Sequence, residues 1–464
     1  MKKSLGIAAI LVFLLSGWAA AQDKSAVVIW VESGFPAADS AVASPEQLAG
    51  WVPGAQLASV EQLRQLLNSP ATALLILPYG SAFPEEVWPD IHQFLQRGGN
   101  LVVLGGQPFT RAAYRHHGSW KLREYSVRYI RPLMIDQYQT TPGFEGLEFQ
   151  ANPEIPLQLP AFSWKRAFSP VIRLSAVDLY KRGGAAGAID ARLDTLAWGV
   201  KQGRKLSAPV MLVDHLRNGF NGGRWVFLSA DLPPEFYGSA AGSCVVRDLV
   251  ELALQGSQEF IVRPVLPLYL PGEPVQLDIE WNSARTSPAA LTVKIATYPD
   301  GEPAKRSEMT ATPPAIQSAV LPAPSGKGLQ VVEAALMEGD KVRAIYHSGF
   351  WIRDEEYLRA GPRLTVNQDY FELDGHPLAV IGTTYMSSEV QRLYFEYPNV
   401  YVWNRDLAQI SGGGLNMVRT GWWTGWDKFC NENGQPYERT LRTLEAFLMT
   451  ARKNGLPLQF NFFA

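Results

Sequence analysis

The sequence predicts a multidomain chain, α/β plus β: an α/β open sheet over residues 25–257, a small β-sandwich over 258–354, and the first three βα units of a (β/α)8 barrel over 363–464. Three observations predict it. Continuous apolar runs alternate with helix-start signals in the first part. Short β segments punctuated by Pro and Gly fill the second. In the third, Leu378–Gly382, Leu415–Arg419 and Leu456–Phe460 recur roughly 40 residues apart, enough for a strand, a loop, a helix and a return. A chain of 464 residues is also too long for a single core.

The first part opens with Val27–Val31, an uninterrupted apolar run of the kind found in buried parallel strands. Ser44-Pro-Glu-Gln47 and Ser59-Val-Glu-Gln62 each fit a capping box, and Pro45 suits a first helical position. Leu74–Leu77 reads as the next strand. Pro84-Glu-Glu-Val87 opens a helix whose Val87, Ile91, Phe94 and Leu95 share one face, and Gly98-Gly99 stop it before the strand Leu101–Leu104. Val210–Val213 and Trp225–Leu228 flank the turn-rich Asn218–Gly223 and read as a hairpin. Ser243–Leu254 is the closing helix. Residues 110–200 form an insertion of mixed pattern.

In the sandwich region Pro274–Trp281 and Leu291–Thr297 alternate apolar and polar residues, as half-buried strands do. Pro299-Asp-Gly301 and Glu338-Gly-Asp340 are turns, and Val331–Met337 and Val342–Phe350 are the arms around the second. The texture is immunoglobulin-like. Arg353–Pro362 is a linker. Beyond it, Phe371–Leu378 predicts a hairpin turning at Asp374-Gly375. Asp406–Ile410 predicts a short helix ended by Gly412–Gly414. Arg439–Lys453 predicts an amphipathic helix burying Leu441, Leu444, Phe447, Leu448 and Ala451. A full barrel needs roughly 250 residues, so the expectation is a barrel represented by less than half its strands.

Charge excludes some partners. With 42 basic and 44 acidic residues there is no electrostatic footprint for nucleic acid or for an anionic membrane. Lys2-Lys3, the apolar run Leu5–Leu15 and Ala19-Ala20-Ala21 have the form of a secretory signal peptide spanning residues 1–21. The mature chain is therefore expected in the periplasm or outside the cell, with no membrane anchor left after cleavage. Cys244 and Cys430 fall in different predicted domains and lack metal-ligand spacing, which favours two buried free thiols. His116-His117 sits in a polar loop with no carboxylate or Cys at helical spacing, so no metal is assigned. The Gly-rich runs at 98–106 and 412–414 match no phosphate-binding pattern, and no cofactor is implied.

The α/β part, with Leu74–Pro78 and the run Gly-Gly-Asn-Leu-Val-Val-Leu-Gly-Gly at 98–106, resembles the class I glutamine amidotransferase-like fold, an accessory domain in several bacterial glycosidases. Active members carry a Cys nucleophile on a sharp turn after a strand. Here Leu104 is followed by Gly105-Gly-Gln-Pro108, and Cys244 lies in a predicted helix. The resemblance thus implies a non-catalytic domain with a structural or oligomerisation role.

Leu415-Asn-Met-Val-Arg-Thr-Gly-Trp-Trp423, preceded by the hairpin at Phe371–Leu378, resembles the second strand of the retaining (β/α)8 glycoside hydrolases that include β-galactosidases, β-mannanases and cellulases. The resemblance implies hydrolysis of β-linked carbohydrate by a two-carboxylate mechanism, and it gives Arg419 a place in the sugar subsite beside the nucleophile. A guanidinium fork is suited to fixing a buried carboxylate. Trp422, Trp423 and Trp426 follow that strand, on the side where barrel active sites are built, and flat rings there can stack on sugars or pack under a neighbour. Tyr385 after the first strand and Asn461 at the end of the third are further pocket candidates. The family's two catalytic Glu positions lie on later strands, and none of Glu389, Glu396, Asp406, Asp427, Glu432, Glu438 or Glu445 matches them. No catalytic residue is assigned, and the chain alone is expected to be inactive. The competing reading is a non-catalytic carbohydrate-binding or assembly protein that keeps a barrel remnant.

Overall fold

The computed structural model describes residues 26–141, 147–155, 157, 159–173, 189–283, 291–311, 318–322, 324 and 326–462. The expected signal peptide lies outside them. An eight-stranded sheet organises the first part. Five parallel strands run in the order Gln56–Ala58, Ala26–Trp30, Thr72–Leu77, Asn100–Leu104 and Arg224–Leu228. The antiparallel strands Arg204–His215, Ala191–Lys201 and Glu148–Ala151 then extend it. Thr72–Leu77 and Asn100–Leu104 are buried along their whole length, because helices cover both faces. Val60–Leu67 and Trp88–Gln96 bury Leu63, Leu67, Ile91 and Phe94 on one face, while Pro45–Trp51 and Ala240–Leu254 bury Leu48, Val245 and Leu249 on the other. Both capping boxes form. The closing helix starts earlier than expected, at Ala240, because the Ser239 side chain accepts from Gly242 N and caps it.

The mixed insertion supplies the two outer strands of the main sheet, Glu148–Ala151 and Ala191–Lys201, and small strand pairs such as Ile135–Thr141 with Ala167–Ile172. After Leu104 the chain turns on Gly105 and Gly106, both at positive φ. A Cβ at Gly106 would stand 2.4 Å from the backbone nitrogen of Ser81, so this turn admits glycine alone. Cys244 is half-buried in its helix beside Arg247, and Cys430 is buried; both are free. The expectation of two buried thiols therefore holds fully only for Cys430.

Residues 258–352 form a two-sheet sandwich. Gln258–Pro264, Val275–Ser283 and Ser318–Leu321 make one sheet; Leu268–Tyr269, Lys341–Ile352, Gly328–Glu338, Leu291–Pro299 and Ser307–Ala311 make the other. Phe260, Val262, Val293, Val332 and Phe350 fill the space between them. The linker after it contains a short helix, Glu355–Arg359, capped by Asp354.

The last part is a three-stranded parallel sheet, Gly382–Thr384, Met417–Gly421 and Leu458–Asn461, with the helices Val400–Gly412 and Glu438–Lys453 on one face. Three expectations change here. The first strand is not Leu378–Gly382: Leu378 closes the hairpin Phe371–Leu373/His376–Leu378, and Ile381 stays 62% exposed. The Asn416 side chain ties that stretch down, accepting from Ile381 N at 2.8 Å and donating to Ala379 O at 2.8 Å. Secondly, the first helix runs from Val400 and not from Asp406, because Asn399 caps it by accepting from Val402 N.

Thirdly, the last helix buries a different face. Leu441 and Leu448 are 46% and 41% exposed, while Thr440, Thr443, Ala446, Phe447, Thr450 and Ala451 turn inward. The threonine hydroxyls are satisfied by carbonyls (Thr443 by Arg439 O, Thr450 by Ala446 O), which removes the cost of burying them. Trp351 of the sandwich then reaches across and donates its Nε1 hydrogen to Thr450 Oγ1 at 2.8 Å. Trp351, Leu268 and Leu329 share one core with Trp403, Phe447 and Val418, so sandwich and C-terminal unit pack as one body.

Candidate functional site

Side chains alternate across a strand, and this parity builds the site. In Met417–Gly421, Val418 and Thr420 are fully buried toward the helices, so Arg419 points to the opposite, open face. The parallel register sets Thr384, Arg419 and Gln459 side by side and places Gly421 beside Asn461. That face is polar. With its amide oxygen turned to the guanidinium, Asn461 accepts from Arg419 Nε at 3.3 Å and from Nη2 at 2.9 Å. A Cβ on Gly421 would meet Asn461 O at 2.3 Å, so glycine is what lets the two strand ends approach. Arg419 also lies over the Trp423 ring, 5.6 Å from its centroid, which is within cation–π reach.

The other expected site residues divide. Trp423 is half-buried beside Arg419 and belongs to the same face. Trp422 is only 8% exposed: it stacks on Phe429 at 5.0 Å and meets the edges of Trp426 and Phe460. Its ring is core and not sugar platform. Trp426 is 43% exposed and packs edge-on against Trp422. The Nε1 atoms of Trp422 and Trp423 and Oγ1 of Thr424 have no hydrogen-bond partner among the described residues.

Tyr385 is also corrected. It is buried between sheet and helices, where its hydroxyl donates to Asp406 Oδ2 at 3.1 Å, and burial raises its pKa well above the usual phenol range. There it braces the open face from behind. Tyr385 N donates to Arg419 O at 2.9 Å, and Tyr385 O accepts from Thr420 Oγ1 at 3.2 Å. Tyr394 then bonds Thr420 Oγ1 and donates to Gly421 O at 3.1 Å. Asp406 also accepts from Ser388 N and Ser388 Oγ. Sequence reasoning missed this frame. Its one visible trace is Asp406, a carboxylate on a helix between the buried Trp403 and Leu407.

Acidic groups lie elsewhere. The three strands contain no Asp or Glu. Glu389 is held by Arg263, Tyr346 and Asn399, Glu445 by Arg353, and Glu438 by Arg442. The described residues contain no group of three or more His, Cys, Asp or Glu arranged to hold a metal.

No protein-family model and no curated protein matches the chain. Among solved structures it is similar to glycoside hydrolases. A GH42 β-galactosidase from G. stearothermophilus is 11% identical, covering 70% of this chain and 39% of that one, with a TM-score of 0.30. A cold-adapted β-galactosidase from Rahnella sp. R3 is 13% identical over 68% and 41%, with a TM-score of 0.29. A β-glucuronidase from Ruminococcus gnavus is 12% identical over 45% and 32%, with a TM-score of 0.19. The chain thus spans less than half the length of each. Likenesses at such TM-scores do not establish a shared fold, and the functional reading rests on the residues themselves.

Proposed function

We propose that this chain belongs to an exported glycoside hydrolase that cleaves β-linked glycosides or oligosaccharides with retention, and that its C-terminal strands supply one wall of the sugar site. One observation carries the reading: Arg419, at the middle of its strand, and Asn461, at the C-terminal end of the neighbouring one, form a forked pair on the open face of parallel strands, braced from behind by Tyr385, Thr420 and Tyr394. Barrel chemistry is built at that end. The fork suits a carboxylate or the hydroxyls of a sugar, and Trp423 adds a flat apolar surface beside it. Retaining hydrolysis needs two carboxyl groups about 5–5.5 Å apart. In this reading both come from chain outside the sequence given, and residues 26–257 act as a non-catalytic support.

The second reading, a carbohydrate-binding or assembly protein, is favoured by the lack of a carboxylate on these strands. The test is to express the complete reading frame and assay it on aryl β-glycosides, with Arg419→Ala alongside. The enzyme reading expects turnover that falls about 100-fold or more in the variant, the scale of losing one transition-state-stabilising donor, with the melting temperature unchanged. Saccharide binding without turnover would select the second reading.

A further inference from the structure

The three parts of the chain meet around Arg192. A cavity of about 270 Å³ opens there, walled by Arg192 and Asp194 of the main sheet, Tyr346 and His347 of the sandwich, and Tyr401 and Arg405 of the helix Val400–Gly412. A second lobe of about 340 Å³ shares Arg192, Tyr346 and Glu389 with it. Both are of the order of the roughly 300–1,000 Å³ usual for small-molecule sites, which occur preferentially at domain junctions. Arg192 is enclosed by all three parts, yet 32% of its side-chain surface remains open. The crevice is therefore hollow at its most polar point. None of its walls is shared with the Arg419–Asn461 face.

Charge decides what it can hold. Each guanidinium has its own carboxylate: Arg192 Nε lies 3.1 Å from Asp194, Arg263 Nη2 3.3 Å from Glu389, and Arg405 Nη1 3.2 Å from Glu154. An anion or a cation would have to compete with one of these internal pairs. A neutral ligand would not, and paired groups keep spare capacity for one: a guanidinium offers five N–H donors, and a carboxylate has more lone pairs than one partner uses. The His347 and Tyr401 rings stack at 5.0 Å with 21° between their planes, giving the crevice a flat wall. Burial holds the His347 imidazole below its ordinary pKa, which keeps that wall uncharged near neutrality. A molecule with hydroxyls on its edges and an apolar face fits this combination.

We propose that the crevice at the junction of the three parts is a binding site for a neutral polyhydroxylated ligand, one sugar unit in size. It is separate from the strand-end face and does not depend on it. The test titrates the full chain with methyl β-glucoside, methyl β-galactoside and inorganic phosphate by calorimetry. It compares Glu154→Gln, Ile172→Trp (which fills the cavity from the Ala167–Ile172 strand) and Arg419→Ala, with circular dichroism to confirm that each variant is folded. Saturable binding of a methyl glycoside is expected, weakened about tenfold or more in Glu154→Gln and abolished in Ile172→Trp. Phosphate is expected not to bind. Should Ile172→Trp fail to fold, Glu154→Gln against Arg419→Ala carries the comparison. Binding lost in Arg419→Ala and kept in the crevice variants would place the sugar on the strand-end face and overturn this proposal. Heat from no sugar would make the crevice a wet contact between domains, and preference for phosphate would refute the neutral ligand.

Discussion

His215 should make the α/β domain sensitive to acid. Its ring is 1% exposed, 3.9 Å from the Trp225 centroid and 5.2 Å from that of Phe220, and neither ring nitrogen has a hydrogen-bond partner among the described residues. Burial pushes its pKa from 6.5 down to about 3. The folded value lies below the unfolded one, so between them the unfolded chain binds a proton that the native chain does not. Stability must then rise with pH across the window from about 3 to 6.5 and fall on acidification through it. One pKa unit corresponds to about 1.36 kcal/mol, so acidifying to pH 5 should remove roughly 2 kcal/mol through this residue alone. Replacing the imidazole by a ring that cannot be protonated, His215→Phe, should abolish that share. The measurement is hydrogen exchange, corrected for intrinsic rates, in peptides covering Arg204–Leu228 at pH 7.5 and pH 5. The wild-type chain should lose protection against the variant by that amount. An identical pH dependence in His215→Phe would refute the reasoning and show that His215 is already paired or solvated.

The neighbouring pair Asp214–Arg224 is bidentate, at 2.6 and 2.8 Å, and its side chains are 3% and 5% exposed. Asp214→Ala should cost about 3–5 kcal/mol by leaving a buried cation alone, whereas Asp214→Leu with Arg224→Met should cost far less; urea unfolding of both variants checks it. In the last helix Phe447→Ala should destabilise by about 3–5 kcal/mol, while Leu441→Ala and Leu448→Ala should stay within about 0.5 kcal/mol. Equal losses would mean that Leu441 and Leu448 are core after all. Gly106→Ala should lower the melting temperature or prevent folding, since its Cβ meets the Ser81 backbone. Mass spectrometry of protein recovered from periplasm or medium should find Gln22 at the N-terminus, and a retained Met1 there would sink the export proposal.

Much of this architecture was legible because local chemistry and burial agree. Ser44 and Ser59 with their Gln partners start helices wherever those helices pack, and uninterrupted Leu and Val runs have no stable place except between two helix layers. The type of turn at Asp374-Gly375 follows from backbone preference alone, and both residues do sit at positive φ. Arg419 and Asn461 were legible as residues of neighbouring parallel strands, and the register brings them together, with Arg419 at mid-strand and not at the end that Leu415–Arg419 predicted. Where periodicity and burial part, the sequence misleads. Leu441 and Leu448 look inward by pattern, but the sandwich presents Trp351 to the threonine face, and only the neighbour decides which face is covered. Tyr385 and Trp422 were placed on the open face because they follow strands, but Asp406, on the next helix, and Phe429, on the far side of the same loop, take them into the interior. The sequence by itself determined most of the strands and helices outside residues 110–200, and which strand carries the arginine. Only the tertiary structure decided which helix face is buried, which aromatic rings remain open, and that three parts of the chain close around Arg192. The reason is physical: propensity and capping act within a few residues, whereas burial and charge pairing depend on what the rest of the chain brings alongside.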